Sequence, residues 1–142
     1  MVGRRAVFLD RDGVVNRSIV RNGKPYAPRS IEEFTIFPEV KPACEALAQA
    51  GFLLFVVTNQ PDIGNGLVSQ EVVEQIHRKI VETLPITKVY TCPHKQDSGC
   101  ECRKPKPGML LTAQKDFSLA LPESFMVGDR YSDICAGISA GC

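Results

Sequence analysis

At 142 residues, with 44% hydrophobic and 23% charged side chains, the chain has the length and make-up of one globular domain with a real core, and falls outside the disordered and membrane-embedded classes. A formal net charge of +1 gives no global field to draw it to nucleic acid or an anionic membrane, so any affinity for anions must come from a local site. The first apolar run, Ala6-Val7-Phe8-Leu9, ends at a charge after four residues. That is too short for a signal peptide or a membrane span, so no membrane partner is expected and the expected compartment is the cytoplasm. Without alternation, the same run suits a strand buried on both faces, and it leads into Asp10-Arg11-Asp12-Gly13. Residues 14–30 are polar, carry Gly23, Pro25 and Pro28, and read as loop. Glu39 to Ala50 reads as a helix with Val40, Cys44, Leu47 and Ala48 on one face and Gly51 as its stop.

Phe52 to Val57 reads as a second buried strand, ending at Thr58-Asn59-Gln60 and followed by a loop with Pro61, Gly64 and Gly66. Ser69 is placed to cap a helix reaching Leu84, with a stripe of Val72, Val73, Ile76, Ile80 and Leu84. Lys88 to Thr91 reads as a weaker strand, Pro107 to Phe117 as a helix opened by proline, Ser124 to Val127 as a fourth strand, and Tyr131 to Ala140 as a last helix. His77, beside Arg78 and Lys79, reads as a surface or boundary histidine, and Tyr26 either as a residue near a bound ligand or as one packing its own loop. Alternating strands and helices imply a parallel sheet with helices on both faces, in which ligands bind beyond the carboxyl ends of the strands. Asp10 and Asp12, Thr58, Lys104 and Asp129 follow the four strands in turn.

Each of these residues alone has an ordinary explanation. Asp-x-Asp-Gly occurs in turns and calcium loops, Gly-Asp is a turn, and a single lysine is usually solvated. Four successive strand ends bearing reactive groups make the joint coincidence poor. Carboxylates gathered at one rim repel unless a cation joins them, and hard oxygen ligands suit Mg²⁺ bridging to a phosphate. Lys104 could then neutralise phosphoryl charge and Thr58 donate to a phosphoryl oxygen.

Six cysteines in a cytoplasmic chain argue for metal or free thiols rather than disulfides. Cys92-x-His94, five residues, then Cys100-x-Cys102 supplies three thiolates and an imidazole, the closed tetrahedral set of a structural Zn²⁺. Nearby Lys95, Arg103, Lys104 and Lys106 would offset the resulting negative charge, and the clip would fix Arg103 and Lys104 directly after it. Cys44, Cys135 and Cys142 read as ordinary thiols.

Four segments, Val7-Phe8-Leu9-Asp10-Arg11-Asp12-Gly13, Val56-Val57-Thr58-Asn59-Gln60, Cys102-Arg103-Lys104-Pro105 and Val127-Gly128-Asp129-Arg130-Tyr131-Ser132-Asp133, resemble in order the motifs of the haloacid dehalogenase (HAD) superfamily of phosphatases. The Cys/His loop before Arg103-Lys104 is similar to that of the capless branch containing D-glycero-D-manno-heptose 1,7-bisphosphate phosphatase and histidinol-phosphate phosphatase. The resemblance implies an α/β, Rossmann-like sheet with no cap domain and a zinc-bound loop, as one domain over residues 1–142 acting as a monomer on a small phosphorylated metabolite. Family members continue into a fifth strand and a further helix, so the fourth strand would here form a sheet edge. The resemblance also implies Asp10 as nucleophile and Asp12 as acid–base. Mg²⁺ would be held by the Asp10 side chain, the Asp12 carbonyl and Asp129, with Asp133 ordering Asp129. Thr58 and Lys104 would grip the phosphoryl group, and Asn59, Arg103 and Arg130 the rest of the substrate.

Heptose 1,7-bisphosphate is the substrate the resemblance favours. Histidinol phosphate is the alternative, because Pro61-Asp62-Ile63-Gly64-Asn65-Gly66 stands where heptose-type loops carry Ser-Gly-Ile-Ala-Arg-Gly, and because the His94–Cys100 spacing is short. A phospho-accepting receiver-like domain and an inactive metal-binding remnant are the readings outside enzymes.

Overall fold

The computed structural model describes residues 3–142. Four strands, β1 (Ala6–Leu9), β4 (Leu53–Asn59), β5 (Lys88–Cys92) and β6 (Phe125–Val127), form one parallel sheet in the order β5-β4-β1-β6. The register pairs Phe8 with Phe55 on one side of β1 and with Met126 on the other, and Val57 of β4 with Tyr90 of β5. Successive strand residues face opposite ways. Ala6, Phe8, Phe55 and Val57 therefore pack with Met109, Leu110 and Ala113 of α4 (Gly108–Phe117), while Val7, Leu9, Leu54 and Val56 pack against the other layer. That second layer contains Cys44 of α1 (Val40–Gln49) and Ile76 and Ile80 of α3 (Gln70–Thr83). Two buried faces explain why neither central strand alternates in sequence.

The predicted helices stand where expected. The Ser69 hydroxyl accepts from Val72 N at 3.2 Å and starts α3, and α5 (Tyr131–Ala140) ends in a left-handed Gly141 with φ 97°. Residues 14–30 differ from the expected plain loop. Ile19–Arg21 (β2) and Lys24–Tyr26 (β3) form an antiparallel hairpin turned by Asn22-Gly23, both at positive φ (50° and 76°). Asn-Gly is the strongest short hairpin signal, since that turn needs two left-handed residues. Pro61–Gly64, also read as loop, is a four-residue helix, α2.

As expected for the fourth strand, β6 lies at a sheet edge, where Phe125 and Val127 are exposed. No helix among the described residues is long and apolar enough to cross a membrane.

Candidate active site

The carboxyl ends of β1, β4 and β6 and the loop after β5 meet at one rim of the sheet. Asp10 leaves β1 with its N–H bonded to Val127 O of β6 at 3.0 Å. Lys104 reaches the same point from the loop after β5. Only 3% exposed, its Nζ lies 2.8 Å from Asp10 Oδ1, 2.6 Å from Asp133 Oδ1 and 2.9 Å from Val57 O. Asn59 anchors it from behind, accepting from Lys104 N at 3.0 Å and donating to Lys104 O at 3.2 Å. Asp133 is pinned in turn at the start of α5, where it accepts the Arg130 N–H at 3.1 Å.

Ligand oxygens of Asp10, Asp129 and Asp133 all lie within 4.8 Å of one another. Three carboxylates gather here and only two of them meet the Lys104 ammonium, an imbalance that one hard divalent cation would cancel, and an all-oxygen set is the kind Mg²⁺ takes. Burial pushes the Asp10 carboxyl up to about 6, against the opposing pull of Lys104. A cation on that oxygen would favour the ionised form.

Gly13 makes the arrangement possible. It stands at φ +91°, and a Cβ there would collide with the Asp129 carboxylate. Gly13→Ala is therefore expected to displace Asp129, which is exposed and free to swing away, and to raise the Mg²⁺ concentration for half-maximal activity at least about tenfold. A magnesium titration of rate checks this, alongside a stability loss of about 1–3 kcal/mol from the strained φ.

Asp12 is held from several sides. Arg11 contacts it through Nε (3.0 Å to Oδ1) and Nη2, Asn16 Nδ2 donates at 3.0 Å, and Gln60 Nε2 donates at 2.8 Å. The same Gln60 amide donates to Thr58 Oγ1 at 2.8 Å, so Thr58, 1% exposed, is tied to the Asp12 loop. Arg11, Asn16 and Gln60 were absent from the sequence-based site. All three are buried, and a charged or amide side chain is assigned to the surface unless its partners are known. The one available signal was position: Arg11 sits between two aspartates, and Gln60 two residues after Thr58.

A cavity of about 470 Å³ opens over this cluster, lined among others by Asp10, Asp12, Asn59, Arg103, Lys104 and Arg130. Thr58 and Asp129 are not in its wall, and neither is Gln60, which bonds Thr58. Tyr26 of the hairpin, Asp62 of α2 and Gln96 of the Cys/His loop complete the rim. Tyr26, for which both loop packing and a place near the ligand stood open, lines the cavity and lies near Arg29, whose guanidinium carbon is 5.7 Å from the ring centre. His77 stands at the boundary as expected, half-buried, with its ring nitrogen Nε2 3.0 Å from Arg11 Nη1.

The Cys/His loop begins on the sheet. Cys92 is the buried last residue of β5, its carbonyl accepting from Gln60 N at 2.8 Å. Cys92 Sγ lies 2.9 Å from Cys102 Sγ and 3.5 Å from Cys100 Sγ, and His94 Nδ1 is 3.4 Å and 3.2 Å from the Cys92 and Cys102 sulfurs. A tetrahedral zinc with these ligands spaces them by about 3.5–3.8 Å, so the set is close to closing on a Zn²⁺. All six cysteines are free thiols, and Cys100 and Cys102 pack on the α4 side of the core.

A family model described as HAD-hydrolase-like matches residues 101–142. The chain is 37% identical over 141 residues to D-glycero-alpha-D-manno-heptose-1,7-bisphosphate 7-phosphatase of Campylobacter jejuni, covering 96% of this chain and 77% of that one. It is 40% identical over 149 residues to the enzyme of the same name from Burkholderia mallei, covering 96% and 76%. The chain belongs to the heptose-1,7-bisphosphate phosphatase family of HAD hydrolases. The crystal structure of D,D-heptose 1,7-bisphosphate phosphatase from B. bronchiseptica, complexed with magnesium and phosphate, superposes with a TM-score of 0.84 at 31% identity, covering 97% of this chain and 77% of that one. The protein is thus a phosphatase of the HAD superfamily rather than a receiver-like domain. Part of the cavity wall comes from the hairpin, α2 and the Cys/His loop.

Proposed function

We propose that this phosphatase removes a phosphate from D-glycero-D-manno-heptose 1,7-bisphosphate through an aspartyl-phosphate on Asp10. The observation that carries the reading is the juxtaposition of Asp10, Lys104 and Asp133 at the floor of a cavity rimmed by Arg103 and Arg130. Mg²⁺ would be held by the Asp10 side chain, the Asp12 carbonyl and Asp129, with the Asp133 carboxylate close by, and would shield the incoming phosphate from the nucleophile and steady the transferring charge. An Asp10 carboxylate oxygen forms a bond to phosphorus while the ester P–O bond breaks, and Asp12 passes a proton to the departing alcohol oxygen. Asp12 then takes a proton from a water whose oxygen attacks the same phosphorus, releasing phosphate and restoring Asp10. Lys104 holds the phosphoryl oxygens throughout, and Asn59 keeps Lys104 in place. Thr58 acts through Gln60 and Asp12 as much as on the phosphoryl group. Arg103, one of whose Nη atoms is buried without a partner among the described residues, and Arg130 take the remaining anionic part of the substrate.

Asp62 bears on the choice between a phosphorylated sugar and an amino alcohol. Its carboxylate lines the cavity and would attract the ammonium of histidinol phosphate, but Arg29 Nε already pairs with it at 3.1 Å. A neutralised acid favours hydroxyl recognition, which supports the heptose. With Mg²⁺ present, phosphate release from heptose 1,7-bisphosphate is expected to exceed that from histidinol phosphate by about a hundredfold in kcat/KM. The opposite ranking would reverse the assignment. A monomer in the cytoplasm is part of the same reading, as the family resemblance implies.

The Cys/His loop is proposed to hold a structural Zn²⁺. Its last ligand adjoins Arg103 and Lys104, so the metal sets the active site as well as the fold. Elemental analysis is expected to give one zinc per chain. Stripping it with a strong chelator should lower the melting temperature by about 10 °C or more and remove turnover even in excess Mg²⁺. Protein purified without chelator and free of zinc would refute this.

A further inference from the structure

Beneath Asp12 runs a polar chain that the reaction described above does not use. Arg11 is fully buried at 0% exposure, and neither it nor His77 nor Thr91 lines the cavity. Two guanidinium nitrogens go to Asp12, and the third, Nη1, lies 3.0 Å from His77 Nε2. A guanidinium carries only donors, so His77 Nε2 must be the acceptor and the ring proton must sit on Nδ1, which faces Thr91 Oγ1 at 3.5 Å. Burial, then the charge of Arg11, pushes the His77 pKa down to about 3, with Asp12 pulling weakly the other way, so the acceptor is present at every working pH.

We infer that His77 is a positioning residue for proton transfer: by accepting the Arg11 Nη1 hydrogen it fixes the guanidinium fork against Asp12 and so sets where the Asp12 proton meets the ester oxygen. The inference rests on reading Asp12 as the acid–base. A buried guanidinium hydrogen left without an acceptor is costly, so removing the imidazole forces Arg11 to turn or shift. Asn16 and Gln60 would still hold Asp12, which is therefore tilted rather than released. A tilt of this kind weakens proton delivery to a poor leaving group and leaves the attack by Asp10 untouched.

The test compares two esters. Heptose 1,7-bisphosphate at C7 (or histidinol phosphate, should the enzyme prefer it) is a primary alkyl phosphate whose alcohol needs a proton to leave. The p-nitrophenolate of p-nitrophenyl phosphate departs without one. His77→Met is expected to lower kcat/KM for the alkyl ester by about ten- to a hundredfold and to change the aryl ester by less than about threefold. His77→Gln, whose carbonyl reaches the place of Nε2, should stay within about threefold of the wild type on both esters. His77→Asn, too short to reach Arg11, should behave as His77→Met and serves if the methionine variant does not fold. Equal losses on both esters, or no loss in either short or apolar variant, would overturn the inference. Asp12→Asn is the control. If it spares the alkyl ester, the acid–base assignment fails and takes this inference with it. If it is selective and His77→Met is not, only the role of His77 falls.

Discussion

Asp10→Asn is expected to remove turnover by at least about four orders of magnitude, with the fold intact. An amide neither attacks phosphorus nor offers Mg²⁺ an anionic oxygen, yet it can still accept from Lys104 Nζ, which sits 2.8 Å from Oδ1. The variant also carries a stability signature. Burial raises the Asp10 pKa from 3.8 to about 6 in the folded protein, so the folded state holds its proton more tightly than the unfolded chain does. The stabilising contribution of that proton is complete below the unfolded value and is lost as pH rises through about 6. Without metal, Asp10→Asn should therefore be more stable than the wild type at pH 8, by on the order of 3 kcal/mol, and the gap should close below pH 4. Magnesium should restore the wild type by mass action and leave the variant unmoved. Denaturant melts at the two pH values, with and without Mg²⁺, check both signs. Phosphate release checks the loss of turnover, and residual rates within a hundredfold of the wild type would mean that another group attacks phosphorus.

The sheet was legible because its central strands are apolar on both faces, so Ala6–Leu9 and Leu53–Val57 read as uninterrupted runs. The helices were legible from their stripes and from Ser69 and Gly141. The hairpin over residues 19–26 was missed because its strands are three residues each and partly or fully exposed, leaving no apolar pattern. Only Asn22-Gly23 marked it. In the active site, residues at strand ends could be named because their chemistry is carried by their type and position. The network under Asp12 could not. Arg11 and Gln60 are explained only by Asp12, which both reach, and by their burial, and His77 only by its contact with Arg11. Asp133 lies between these cases: it was expected to order Asp129, and it also forms the second half of the Lys104 ion pair.

That double pairing makes Lys104→Met the most damaging single change for structure and chemistry together. Among the described residues, the ammonium is the one cation pairing two buried acids, Asp10 at 8% and Asp133 at 1% exposure. A thioether of similar length fills the space but leaves both carboxylates facing each other, which costs about 3–5 kcal/mol, because an unpaired buried charge is far worse than no charge at all. Turnover should fall by a further 10²–10³-fold, roughly, from the loss of charge stabilisation on the phosphoryl group. Lys104→Arg should recover part of the stability and little of the rate, since a planar fork cannot occupy the point where a compact ammonium meets Asp10, Asp133 and Val57 O together. Magnesium separates the two roles. By binding the same carboxylates it should return most of the melting temperature of Lys104→Met, while the phosphoryl oxygens still lack their ammonium partner and the rate stays low. If the rate returned along with the stability, Lys104 would be a counter-ion for Asp10 and Asp133 alone, and the grip on the phosphate would have to come from Arg103 and Arg130 instead.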